Sequence, residues 1–434
     1  MFSESDHLAC LGFGMVFTFM TLIMTRRLSP MLALIVVPTL FAVLGDFTGT
    51  MGPMMLEGIQ HLAPTGIMLM FAILYFSVMH DAGLFQPMVS TTLRLAGGDP
   101  LRVMLGTAIL ALLVSLDGDG STTYIIVITA LLPLYQRLKI NPLFLSGIVM
   151  LAVGVTNITP WGGPTARAAS ALHLDPNALF TPMIPAMLGC SLWVVIAAVL
   201  LGLWERRRQR KLALSPEPLP EIEVTSGSAP HPLRMTLNAL LTIALLVLLV
   251  WGVCPMPVLF MLAFALAMLI NFPDPQAQKE RLAAHAPSIL MVVSLIFAAG
   301  IFTGILSGTH MVDAMTDTIL ALISRDMGPH LSLITAVVSL PLTFFISNDA
   351  FYYGMLPLLT KAAATYGISA AEMGRAAIVG QPVHVLSPLV PSTYLLVNLA
   401  GVDFVAHQRF TILWAIVTCL VMLVVGMACQ VIPF

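Results

Sequence analysis

Charge is what this chain lacks. Lys and Arg number 19 and Asp and Glu 21, so charged residues make up 9% of 434 positions. A soluble chain carries roughly a quarter. The net charge of −2 offers no basic surface for nucleic acid. Cysteine is sparse as well. Cys10, Cys190, Cys254, Cys419 and Cys429 lie far apart with no CxxC pair, which leaves them as small packing residues. No Walker A, GxGxxG, HExxH or GxSxG string occurs, so the chain is not read as an enzyme. Without a nucleotide site, any work it does is drawn from a gradient. The N-terminus opens on acidic Glu4 and Asp6, and no small-residue cleavage site follows. The first apolar stretch is therefore expected to be a retained helix.

What is abundant is hydrophobic sequence, at 58% of residues. Apolar stretches near 9–25, 31–47, 64–80, 143–156, 183–204, 236–252, 256–272, 288–306, 374–388 and 410–432 approach the ~20 residues that cross a bilayer. They predict an all-α membrane protein with about ten transmembrane helices. Two further tracts, 102–136 and 330–365, are apolar on both sides of a polar break. The breaks are Asp117-Gly118-Asp119-Gly120-Ser121-Thr122-Thr123 and Ser347-Asn348-Asp349. Each arm is too short to cross alone, so the tracts read as re-entrant hairpins with a polar tip at mid-depth.

Between the halves, Glu205-Arg206-Arg207-Arg208-Gln209-Arg210-Lys211 opens a Pro/Ser/Glu-rich linker over 205–233. Placing this basic run in the cytoplasm puts Arg26, Arg27, Arg94, Arg102, Arg137, Lys139, Arg234, Lys279, Arg281 and Arg409 on the same side. Only Arg325, Lys361 and Arg375 fall outside, and Arg167 falls within the membrane. That asymmetry follows the positive-inside rule. The two hairpins then enter from opposite faces. A shift of about 230 residues overlays the halves. Under it Asp117 falls on Asn348, and Thr156–Pro160 falls on Ser387–Pro391. The reading is an inverted repeat. Residues 1–204 form the first unit, with hairpin 102–136 and broken helix 143–172. Residues 234–434 form the second, with hairpin 330–365 and broken helix 374–399. Segments near 81–97 and 310–326 read as interfacial connectors.

Four polar breaks are expected to meet near the midplane. Besides the tips they are Thr156-Asn157-Ile158-Thr159-Pro160-Trp161-Gly162-Gly163-Pro164-Thr165 and the run from Gly380 through His384 and Ser387 to Ser392-Thr393. The helix resuming at Pro164 presents an N-terminus, which favours an anion. Ser121, Thr122, Thr123, Asn157, Thr159, Gly162, Gly163, Thr165, Ser347, Asn348, Ser387, Ser392 and Thr393 are the candidate polar contacts. Arg167 either forks onto a carboxylate or pairs with Asp117 or Asp119. Asp117, Asp119 and Asp349 either bind a cation, take up protons or cap helices. His384 is either a packing residue or a proton carrier.

These strings carry a resemblance. Leu116–Tyr124, Thr156–Ser170, Ser347–Gly354 and Gln381–His384 closely resemble the CitMHS family of citrate–divalent metal:proton symporters, within the ion transporter superfamily. The resemblance covers nearly the whole chain. It implies a secondary transporter that takes up citrate complexed to a divalent cation of Mg or Ca type, with proton symport. It further implies an elevator-type homodimer in the cell (inner) membrane, with no permanently bound cofactor. Dicarboxylate relatives in the superfamily carry Ser-Asn-Thr at their hairpin tips. Here the tips read Gly120-Ser121-Thr122 and Ser347-Asn348-Asp349, which puts sodium coupling in doubt. The alternative is a sodium- or proton-coupled symporter of another di- or tricarboxylate.

Overall fold

A computed structural model describes residues 4–211, 232–322 and 326–433. Most of the linker and Arg325 therefore lie outside the described residues. Every described element is helical. The first half contains α1 (Glu4–Met24), α2 (Pro30–Leu44), α3 (Met51–Asp81), α4 (Gln86–Ala96), α5 (Pro100–Val114), α6 (Gly120–Arg137), α7 (Pro142–Thr156), α8 (Gly163–Ala171) and α9 (Pro176–Lys211). The second contains α10 (Pro232–Trp251), α11 (Met256–Asn271), α12 (Pro275–Gly308), α13 (Met311–Leu322), α14 (Leu331–Phe345), α15 (Leu356–Ala364), α16 (Ala370–Ala377), α17 (Gln381–His384), α18 (Pro391–Ala400) and α19 (Phe404–Ala428). A π-helical turn over Ala350–Met355 opens into α15, and a 3-10 turn over Ile378–Gly380 joins α16 to α17.

Eight described helices are long and apolar enough to cross a membrane, which lowers the expected ten. The expected spans at α2, α7, α11 and 374–388 are shorter helices. The first arms of the two hairpin tracts, Pro100–Asp117 and Gly328–Phe345, are long enough after all, against the expectation that each arm is too short to cross. α7 stops at Thr156 and α16 at Ala377, too short to cross alone. In contrast, α3 and α12 run to 31 and 34 residues, about 50 Å at 1.5 Å per residue. They outreach the ~30 Å hydrocarbon core.

The helix starts follow local chemistry. Ser29, Asp99, Asp119, Asn141, Asp274, Ser369 and Asp403 each accept a backbone N–H at the start of their helix. Such caps satisfy amides that no helix can satisfy itself. In six of these helices Pro follows within the first two positions or the cap is Asx, so the start is written in the sequence.

Two sets of helices pack together. The first is α1–α3 with α10–α13, centred on α3 lying along α12. There Gly300 faces Gly58 so closely that a Cβ at 300 would stand 2.9 Å from the Gly58 carbonyl oxygen. Small residues let membrane helices approach in this way. Asp81 on α3 accepts from Arg281 at 3.2 Å and from His285 at 2.9 Å on α12. The second set is α5–α9 with α14–α19, built on α5, α7 and α19 against α9. Its base is fastened at the C-terminal end of α9. Asp99 pairs with Arg206, Arg208 donates to the Lys139 carbonyl at 2.9 Å and Gln209 to that of Leu138 at 2.9 Å. Burial would raise the Asp99 carboxyl, but bonds from Arg206 and the Leu101 amide hold it below the usual carboxylate value.

Candidate functional site

Both hairpins turn inside the second set, and each tip is tied to a broken helix by matching bonds. Thr156 Oγ1 bonds Ser115 Oγ at 2.7 Å, and Trp161 Nε1 donates to the Leu116 carbonyl at 2.9 Å. In the other half, His384 Nδ1 meets the Thr343 carbonyl at 2.6 Å and Ser387 Oγ donates to that of Phe344 at 2.6 Å. Thr165 Oγ1 reaches back to the Ile158 carbonyl at 2.7 Å, and Thr393 Oγ1 to that of Val385 at 2.6 Å. These pairs correspond at a shift of about 228 residues. At that shift Thr159 matches Ser387 and Pro160 matches Pro388. The sequence overlay of Pro160 on Pro391 is therefore off by three. Gly154 and Pro382 also correspond, and they touch each other: a Cβ on Gly154 would lie 2.8 Å from Pro382 Cα.

The tips match in length and differ in chemistry. After the matched residues 116 and 344 the first tip reads Asp117-Gly118-Asp119 and its helix starts at Gly120; the second reads Phe345-Ile346-Ser347 and its helix starts at Asn348. Asp119 thus corresponds to Ser347, and Asp349 falls on Ser121. The overlay of Asp117 on Asn348 is off by three, like that of Pro160 on Pro391.

Asp119 is occupied with its own helix. Its Oδ1 accepts the Ser121 N–H at 3.0 Å; its Oδ2 accepts the Thr122 N–H at 3.2 Å and hydroxyl at 2.6 Å. Asp117 Oδ1 accepts the Asp119 N–H at 2.9 Å, leaving its other oxygen without a hydrogen bond among the described residues. Asp349 instead reaches across the molecule. Its Oδ1 accepts from Arg167 Nε at 2.6 Å, with both side chains largely buried. The expected pairing of Arg167 with Asp117 or Asp119 is therefore corrected to Asp349. Arg167 lies on α8, which packs on the turn at 350–355, so the partner is nearer in space than the acids nearer in sequence. Gly163, one turn earlier, leaves room for the guanidinium: a Cβ there would stand 2.7 Å from Nη1. Only Nε of Arg167 is hydrogen-bonded among the described residues, so both terminal nitrogens remain as donors.

Around this pair the second tip is locked. Asn348 and Gln381 exchange amide bonds at 3.3 Å each way, and Gln381 also donates to Tyr352 Oη at 2.8 Å. Ser347 Oγ accepts the Ala350 N–H at 3.2 Å. His384 lies within electrostatic reach of Arg167 and Asp349. Its Nδ1 is held by a carbonyl, which leaves Nε2 for a further partner.

The other candidates divide clearly. Thr122, Thr165, Ser387 and Thr393 spend their hydroxyls on the fold. Gly162 donates its N–H to the Thr159 carbonyl at 2.8 Å. Thr123 and Thr159 bury hydroxyls that have no partner among the described residues. Ser121, Asn157 and Ser392 are half-buried and make no side-chain hydrogen bond among the described residues. Trp161, Thr156, Ser115 and Gln381 were not among the sequence candidates. All but Ser115 sit inside the polar breaks, so their place in the break was the available signal. Trp161 also marks the border between the helix sets, with its ring 5.8 Å from Phe76 and 5.3 Å from Phe260.

Apolar spans, with polar breaks and a charged pair held inside them, define a multi-pass membrane transporter. The family model described as citrate transporter, CitMHS, matches residues 19–380. The chain belongs to that family, which is one of transporters and not of enzymes. It is 54% identical to a Bacillus subtilis (strain 168) protein named "Citrate transporter", over 98% of this chain and 100% of that one. It is 47% identical to the "Mg(2+)/citrate complex secondary transporter" of the same organism, over 97% of this chain and 98% of that one. Among solved structures, the YdaH transporter of Alcanivorax borkumensis shares the fold, with a TM-score of 0.57, 15% identity and 86% of each chain covered.

Proposed function

We propose that this chain takes up citrate as a divalent-metal complex together with protons. The observation that carries the reading is the Arg167–Asp349 pair, whose guanidinium keeps two free nitrogens for a carboxylate. Trianionic citrate bound to a divalent cation carries one net negative charge. A proton arriving on Asp349 would neutralise that carboxylate and release Arg167 to the substrate. The site is then neutral before and after loading, which spares the cost of burying a net charge. Coupling follows: the proton and the anion take opposite ends of one ion pair, so each favours binding of the other.

The free oxygen of Asp117 and the side chains of Asn157, Ser121 and Ser392 supply further contacts. Asp119 is assigned to the helix cap. Among the described residues no three His, Cys, Asp or Glu side chains converge as a metal cage. That suits a cation whose ligands come largely from citrate. The relative named for the Mg(2+)/citrate complex supports the same reading.

For the architecture we infer an inverted repeat of residues 1–204 and 234–434 with re-entrant hairpins. Contact between the corresponding positions Gly154 and Pro382 supports it, because residues on a twofold axis meet their own equivalents. The set around α3 and α12 serves as scaffold and the set bearing the tips moves past it as an elevator. In the inner-membrane homodimer that completes this reading, the exposed apolar faces of α10 and α11 are available to a second copy.

The test is uptake of labelled citrate by proteoliposomes, with and without Mg²⁺, Ca²⁺ and a pH gradient. Uptake is expected only with a divalent cation and is expected to rise with inward proton gradient. Metal-independent uptake would overturn the complex. Sodium dependence without pH dependence would favour the other carboxylate symporter.

A further inference from the structure

A groove of about 700 Å³, lined by α4 and α5, lies outside the Arg167–Asp349 site. Met88, Thr92 and Leu95 form one wall, and Gly106, Ile109 and Leu113 the other. Each wall repeats every three or four residues, so the groove runs along one face of each helix. Its length from Arg102 to Leu113 is about 16 Å at 1.5 Å per residue. The lining is apolar apart from threonines and Arg102. Leu95, Ile109 and Leu113 remain 68%, 45% and 42% exposed, too apolar for water and too deep for a bare helix surface.

The mouth of the groove is positive. Arg102 and Arg206 both converge on the single carboxylate of Asp99. Two positive charges on one negative leave one unmatched. Arg102 stands 4.0 Å from Asp99 with 67% of its side chain exposed, so its guanidinium is the one with donors to spare. Arg94, in the last turn of α4, adds a further exposed charge nearby. An apolar slot of acyl-chain length, ending in unmatched arginine at the side that carries the basic residues, fits one class of occupant. Basic pockets between membrane helices on that side bind anionic headgroups.

The geometry points to a binding site for one anionic phospholipid, with an acyl chain between α4 and α5 and its phosphate on Arg102. The corresponding place in the second half is built differently. There α13 packs on α15 and is pinned by the Asp313–Lys361 ion pair. The first connector touches the first arm of its hairpin directly, Thr92 against Gly106, and leaves the groove beside that contact; the second packs on the return arm. A lipid at this place would hold the connector against the arm that carries Asp117.

Native mass spectrometry of the full chain, purified in detergent and exposed to phosphatidylglycerol or phosphatidylcholine, tests this. The wild type is expected to retain one phosphatidylglycerol in preference to phosphatidylcholine and to gain thermal stability from it. Ile109→Trp fills the groove and should lose both effects. Leu95→Trp, on the facing wall, does the same where Ile109→Trp fails to fold. Arg102→Ala should reduce the preference for phosphatidylglycerol by about fivefold. Undiminished phosphatidylglycerol retention in the filled variants would overturn the site. Equal retention of the two lipids by the wild type would overturn the anionic assignment.

Discussion

Asp119 and Asp349 are the acids beside the two helix starts, yet one serves its own helix and the other a helix of the opposite half. The difference traces to position within the tip. Asp119 precedes its helix and caps the amides of Ser121 and Thr122. At the second tip the matching place belongs to Ser347, which does the capping. Asp349 lies two residues further on, where the first tip has Ser121, and it faces Arg167. Two tips of equal length thus present a capped helix start in one case and a carboxylate paired across the molecule in the other.

Substitutions at three positions sharpen or break that contrast. The largest effect is expected at Arg167. Arg167→Ala strands a buried carboxylate, a change that costs about 3–5 kcal/mol when a buried pair loses one partner. Citrate uptake should fall by about a hundredfold or more. Arg167→Lys keeps the charge but loses the fork, and should retain measurable uptake with weaker substrate affinity. Uptake kinetics at wild-type level in Arg167→Ala would remove the pair from the site.

Next is Asp349→Asn. The pair is neutralised permanently, so the guanidinium no longer waits for a proton. Citrate–metal binding, read by calorimetry, should become independent of pH across the range in which wild-type binding strengthens as pH falls. Retained pH dependence would move the coupling proton to another group, with Asp117 the first to test.

The smallest effect is expected at Asp119. Asn caps helices about as well as Asp, so Asp119→Asn should leave uptake and its pH profile near the wild type. Asp119→Ala should cost about 1 kcal/mol of stability, visible as a lower Tm. A lost pH response in Asp119→Asn would make the two tips equivalent and undo the comparison.

Much of this was legible in the sequence. Polar residues inside apolar tracts announced both tips and both broken helices, because membrane burial makes every such residue conspicuous. The pairing was not legible. Arg167 and Asp349 lie 182 positions apart, and Asp117 and Asp119 stand closer in sequence with the same chemistry. The overlay of the halves was also three residues off, since short polar strings match at more than one register and only the bonds from tip to broken helix select 228. The double duty of hydroxyls was hidden as well. Thr165 and Thr393 look like substrate contacts, but their carbonyl partners come from the irregular backbone just before them.

The crossing of α8 onto the far tip has a consequence for how the protein is made. The ribosome delivers Arg167 to the membrane 182 residues before Asp349 exists. At about 5–20 residues per second, that interval lasts roughly 10–40 s. During it the nascent first half carries a charge whose partner is still untranslated, so it cannot settle as an independent unit. Closing the ion pair is the event that tells the assembly line both halves are present.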